Sequence, residues 1–106
     1  MIDASEFVSK VVTIRGISGE EIIGTLFGLD KDNSVLHLNE PRLVVINNGE
    51  VSLLPYLLTC DVKITPINGD TVVSILETTE TISKEYQNMV ADENLNSPME
   101  AELVEE

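Results

Sequence analysis

Between Val11 and Leu76 apolar residues fall in short β-branched runs or alternate with polar ones, and the period changes only near the two ends of the chain. At the start, "IDASEFVS" (2–9) sets Asp3 or Ser5 where a helix cap sits and gathers Ile2, Phe7 and Val8 on one side. That pattern predicts one or two helical turns. "VVTIRG" (11–16) and "IIGTLFGLD" (22–30), joined through "GEE" (19–21), then read as a hairpin with strands rich in Val, Ile and Thr.

Asn48-Gly49 is the strongest turn signal of the chain, since both residues accept the positive φ of a two-residue loop. Placing the loop there pairs Asn47 with Glu50, Arg42 with Pro55 and Pro41 with Tyr56. The same register carries on to Leu36 facing Asp61, Ser34 facing Lys63 and His37 facing Cys60. A proline at the same level of each strand removes a ladder donor, so the hairpin should kink or lose pairing there. Beyond the kink, residues 43–54, with Leu43 and Leu54 at the base, form a projecting apolar arm.

"VKITPINGDTVVSILE" contributes Val62, Ile64 and Ile67 ahead of a Gly69-Asp70 turn and a last strand from Val72 to Leu76, which brings the count to five strands. Gly69 is expected to hold a positive-φ position, leaving strand edges at residues 62–67 and 71–77 open. From Thr81 the period lengthens: Ile82, Tyr86, Met89 and Val90 share one helical face, predicting a C-terminal helix to about Val90. The expected fold class is mostly β: a strongly bent five-stranded antiparallel barrel with a short N-terminal helix and a C-terminal helix. The expected organisation is a barrel over residues 1–77, a helix over 78–91 and an acidic, disordered tail over 92–106.

Composition narrows the picture. The 106 residues suit one domain, and a chain 42% apolar with 4% aromatics and no Trp must build its core from Val, Ile and Leu. The net charge of −13 repels phosphate. The charge is uneven: residues 77–106 hold nine acids against one lysine, and residues 92–106 hold six acids and no base. Cys60 is the only cysteine, which rules out an intrachain disulfide and suits a reducing, cytoplasmic setting. The first ten residues, with Asp3, Glu6 and Lys10, do not form a signal peptide, and no apolar run is long enough to span a membrane. A soluble protein is expected.

The order of glycines goes further. "GEEIIGTLFGLDKDNSVLHL" places Gly19, Gly24, Gly28 and Asp30 in one run. It resembles the first motif of Sm and LSm proteins, in which a turn glycine, a glycine at a sharp strand bend and an aspartate before the next strand recur at this spacing. "INGDTVVSI" (67–75) resembles the second Sm motif, whose usual form is Ile-Arg-Gly-Asp followed by valines and an isoleucine. The resemblance covers residues 2–77. It implies an Sm-like (SH3-like) barrel whose edges pair with neighbouring copies to close a homo-oligomeric ring of about five to seven subunits. It also implies an RNA-binding face at Asp30, Lys31, Asn33, Ser34, Asn68 and Gly69, with Lys63 nearby. Asn68 stands in the place of the family arginine, and the residue that would stack on a base is missing, so the implied base pocket is degraded. A phage-encoded origin would suit a short acidic Sm-like chain.

No catalytic constellation competes with this reading. His37, the only histidine, lies inside a strand, and a Cys60 opposite it reads as a small thiol beside a strand residue. Asp30, Asp32 and Asn33 begin like a calcium loop, yet Val35 and Pro41 occupy the places of its glycine and closing glutamate. "GEEIIGT" lacks the Lys-Ser/Thr ending of a phosphate loop. No enzyme, metal or cofactor is expected. Two functions remain: an RNA-associated Sm-like ring, or an acidic homo-oligomeric scaffold that binds no RNA and engages a protein partner through the arm.

Overall fold

A computed structural model describes the backbone of residues 2–60 and 63–105, with side chains as far as Glu93. Six strands form one antiparallel sheet: β1 (Val11–Gly16), β2 (Glu21–Asp30), β3 (Val35–Asn47), β4 (Glu50–Pro55), β5 (Ile64–Asn68) and β6 (Val72–Glu77). Neighbours run β4-β3-β2-β1-β6, with β5 also paired to β3. A 3-10 turn, η1 (Ser5–Phe7), precedes the sheet, a second, η2 (Gly69–Thr71), joins β5 to β6, and a helix, α1 (Glu80–Glu105), follows.

The N-terminal element is a single turn. Asp3 Oδ1 accepts from the Ser5 amide at 3.1 Å and the Ser5 hydroxyl at 2.7 Å, and these bonds hold its carboxyl below the ordinary aspartate range. Ser9, at φ 74°, ends it and donates to Leu26 O at 2.7 Å, which fastens the chain start to β2.

Strand β3 is long because it serves two partners. Its second half pairs with β4 from Asn47↔Glu50 to Arg42↔Pro55, the register expected from Asn48-Gly49, where φ is 55° and 82°. Its first half pairs with β5 from Val35↔Asn68 to Asn39↔Ile64. Between them Glu40 takes φ 52° beside Pro41, so the strand turns a corner. The hairpin does lose its pairing at the two prolines, and this overturns the register extrapolated past them. Pairing with β3 stops at Pro55 and resumes at Ile64 with a register six residues later, so His37 faces Pro66 instead of Cys60. The expected fourth strand is therefore two strands, β4 and β5.

Alternation sorts the apolar residues into two layers. Val12, Ile14, Ile22, Leu26, Leu36, Leu38, Ile67, Val72 and Ile75 point inward and form the main core with Ala4. Val11 and Ile23 point the other way, where Tyr86 of α1 covers them, flanked by Ile82, Val90, Val44 and Leu53. The double runs Val11-Val12 and Ile22-Ile23 thus mark strands covered on both faces. The base of the arm is part of this second layer, leaving Ile46 and Val51 exposed toward its tip.

Helix α1 is pinned at the β3 corner. The Tyr86 hydroxyl donates to the carbonyls at the β3 corner, 2.8 Å from Asn39 O and 3.0 Å from Glu40 O. Burial pushes the Tyr86 phenol up from its ordinary range. Arg42, with a side chain 7% exposed, lies near Glu40 at 3.8 Å, donates to Pro41 O at 3.1 Å and bonds Glu93 of α1. The helix passes the expected end at Val90, and its backbone is helical through residues 92–105 where disorder was expected. Ala91, Glu93, Leu95, Met99, Glu100, Ala101, Glu102 and Leu103 are good helix formers, and Arg42 anchors the continuation at Glu93. The charge pattern that suggested disorder carries no information about that anchor.

Candidate nucleic-acid interface

The β2–β3 loop begins with Asp30, whose two carboxylate oxygens accept from the Asn33 backbone N–H at 3.2 Å and the Asn33 side-chain amide at 2.8 Å. The Asn33 side chain, followed by its backbone, holds the Asp30 carboxyl below the ordinary range. Ser34, at φ 56°, closes the loop and aims its carbonyl at the other motif. There it accepts from the Gly69 amide at 2.6 Å, one residue past the Val35↔Asn68 pair. The two motifs, 35 positions apart at Ser34 and Gly69, therefore meet through one backbone hydrogen bond.

Gly69 does not take the expected left-handed conformation. It is the buried first residue of η2, and the turn is built by Asn68, whose Oδ1 accepts from the Asp70 amide at 3.0 Å and whose carbonyl accepts from the Thr71 hydroxyl at 2.8 Å. A side-chain cap does the work assigned to a positive φ. Gly19 is the motif glycine that does need it, at φ 90°. Gly24 sits where the β2–β3 register shifts, and a β-carbon there would lie 3.3 Å from Asn39 O and Leu38 Cβ. At Gly28, beside the second shift, a β-carbon would meet open space.

The structure thus gathers Asp30, Asn33, Ser34, Asn68 and Gly69, with Lys31 on the same loop, its ammonium 3.7 Å from Asp3. It does not bring Lys63 to them: Lys63 precedes β5 while Asn68 ends it, roughly 16 Å away along the strand. Lys63 instead accepts from the Glu40 amide through its carbonyl, at 2.6 Å. The gathered loops carry Asp30, Asp32 and Asp70 against Lys31, and the Asn33 amide is committed to Asp30. Phe27 of β2, 62% exposed, is the one aromatic residue more than half open to solvent among the described residues, and no motif singled it out. Among the described residues no cluster of His, Cys, Asp and Glu could hold a metal ion, and Cys60 is exposed and apart from His37.

Three solved structures have this architecture. The P. aerophilum SmAP1 heptamer matches with TM-score 0.50 and 20% identity over 71% of this chain and 86% of its own. A heptameric archaeal Sm protein matches with TM-score 0.50 and 20% identity over 71% and 94%. The Sm-like protein AF-Sm2 from Archaeoglobus fulgidus matches with TM-score 0.50 and 18% identity over 74% and 97%. The fold is the Sm fold. At such identity the likeness is one of architecture. The three are archaeal and lend no support to a phage origin. No family model and no curated protein matches the sequence. No helix among the described residues is long and apolar enough to cross a membrane.

Proposed function

We propose that the chain is a non-enzymatic Sm-like protein that closes a homo-oligomeric ring of about five to seven subunits and associates with RNA through a degraded base-binding face. The observation that carries the ring is the state of the sheet margins. Among the described residues β5 pairs only with β3 and β6 only with β1, so each has one edge without a ladder partner. A repeated contact between two different edges closes when its rotation divides the circle. The heptamers among the proteins of like fold support the same arrangement. The lone Cys60, a free and exposed thiol, suits the reducing cytoplasm.

For RNA, the face is the joined pair of loops, with Lys31 the charged contact, Asn68 the amide that meets a base edge, and Asp30, Asn33, Ser34 and Gly69 the frame that holds them. Such a face binds weakly and in a salt-sensitive way. Filter binding of oligouridine and oligoadenine, from 0.01 M to about 0.15 M salt, tests it: the expected result is binding at the low end that falls as salt rises.

A second reading is favoured by the charge of that face, three carboxylates around one lysine. In it the chain is an acidic protein-interaction scaffold, engaging a protein through the exposed arm tip at Ile46 and Val51. Absence of oligonucleotide binding even at 0.01 M salt would reject the RNA face and leave this reading.

A further inference from the structure

A cleft of about 410 Å³ is lined by apolar side chains, Leu76 of β6, Val44 and Val51 of the arm and Ile82 of α1, together with Thr13 and Arg15 of β1. Arg15 is engaged, donating to Glu21 at 2.6 Å and to Gly19 O at 2.9 Å, so it is not an unmatched cation in the lining. Leu76 is 69% exposed, an apolar side chain left uncovered by its own chain. Residues 56–60, where the chain leaves the β3 ladder, carry two more such side chains, Leu57 at 45% and Leu58 at 83% exposure. They do not line the cleft of their own chain.

We propose that Leu57 and Leu58 of one copy seat in the cleft of the next, so that residues 56–60 act as a latch between subunits. The inference rests on the ring reading above, and three observations identify a second copy as the occupant. The loop leads toward β5 and the cleft borders β6, which with β4 are the strands that pair on one side only among the described residues. Every strand pair among the described residues is antiparallel. A β5–β6 contact of that sense carries the residues before β5 past the end of β6, where Glu77, Thr78 and Thr79 continue the cleft. Finally, residues 56–60 (Tyr, Leu, Leu, Thr, Cys) bear no charge in a chain of net −13. Self-association of so acidic a molecule favours a contact that brings no carboxylates together.

The full chain tests this in two ways. Leu58→Asp, at a position too exposed to matter for folding, should raise the subunit dissociation constant at least about tenfold in analytical ultracentrifugation. In a Cys60→Ser background, Leu58→Cys combined with Leu76→Cys should form disulfides between chains on mild oxidation, giving a reductant-sensitive ladder on a denaturing gel. A ring that assembles as tightly in the Leu58→Asp variant, together with no interchain disulfide in the cysteine pair, overturns the latch and leaves the ring intact. A monomeric unsubstituted protein overturns both.

Discussion

Gly24 and Gly28 belong to one motif and meet different surroundings. A β-carbon at Gly24 would press on Asn39 O and Leu38 Cβ at 3.3 Å, and a carbonyl held in a sheet cannot step aside cheaply. Gly24→Ala should therefore cost about 1–3 kcal/mol, while Gly28→Ala, facing open space, should stay within about 0.5 kcal/mol. Urea melts of the two variants check the contrast. Tyr86→Phe keeps the buried ring and leaves Asn39 O and Glu40 O without their donor, a loss of about 1–2 kcal/mol seen as a lower midpoint at unchanged slope. Because burial raises the Tyr86 pKa, its contribution is complete below the ordinary phenol pKa near 10 and is lost as pH rises through the folded value. Phenolate absorbance should show that late ionisation, and Tyr86→Phe should remove it. Residue types alone suggested a positive φ at Gly69, whereas the Asn68 cap supplies the turn. The motif suggested Asn68 for the proposed face, but not its structural duty as the cap of the turn.

At the scale of elements, turn chemistry was legible and long-range register was not. Asn48-Gly49 set the hairpin correctly for six pairs, and Pro41 and Pro55 marked where it ends, because both are local signals. The six-residue jump in register between β4 and β5 depends on where the chain after Pro55 rejoins β3, which no local pattern encodes. The helix face Ile82, Tyr86 and Val90 was visible in its period, and what it covers, Val11 and Ile23, was hinted at by doubled apolar residues in β1 and β2. The length of α1 was missed because its anchor, Arg42, lies 51 positions from Glu93. Truncation is therefore best made after Glu93. Removing residues 94–106 deletes Glu100, Glu102, Glu105 and Glu106 while keeping the Arg42 contact. It should leave stability unchanged and tighten oligouridine binding at 0.01 M salt, with the gain shrinking as the Debye length falls from about 30 Å to about 8 Å at 0.15 M. Equal affinities of the two forms at 0.01 M would remove any electrostatic part for the segment.

For the whole molecule, the strand edges and the charge point to different aspects of one assembly. Among the described residues β4, β5 and β6 each pair on one side only, an invitation to uncontrolled association, and the proposed ring contact between β5 and β6 would satisfy two of these edges at once. The surplus of acids opposes indiscriminate stacking of such rings and weakens any hold on phosphate. The Sm fold was readable from two short motifs because each records a backbone necessity, a bend at Gly24 or a turn at Gly19 and Asn68. The proposed binding face was only half readable, since its frame depends on the Ser34–Gly69 hydrogen bond and Lys63 lies at the far end of β5. Light scattering of the intact chain at micromolar concentration is the most direct test of the ring. The expected mass is five to seven times 11.6 kDa, about 58 to 81 kDa. A mass of 11.6 kDa, or a dimer that leaves the edges of β5 and β6 open to solvent, would contradict it.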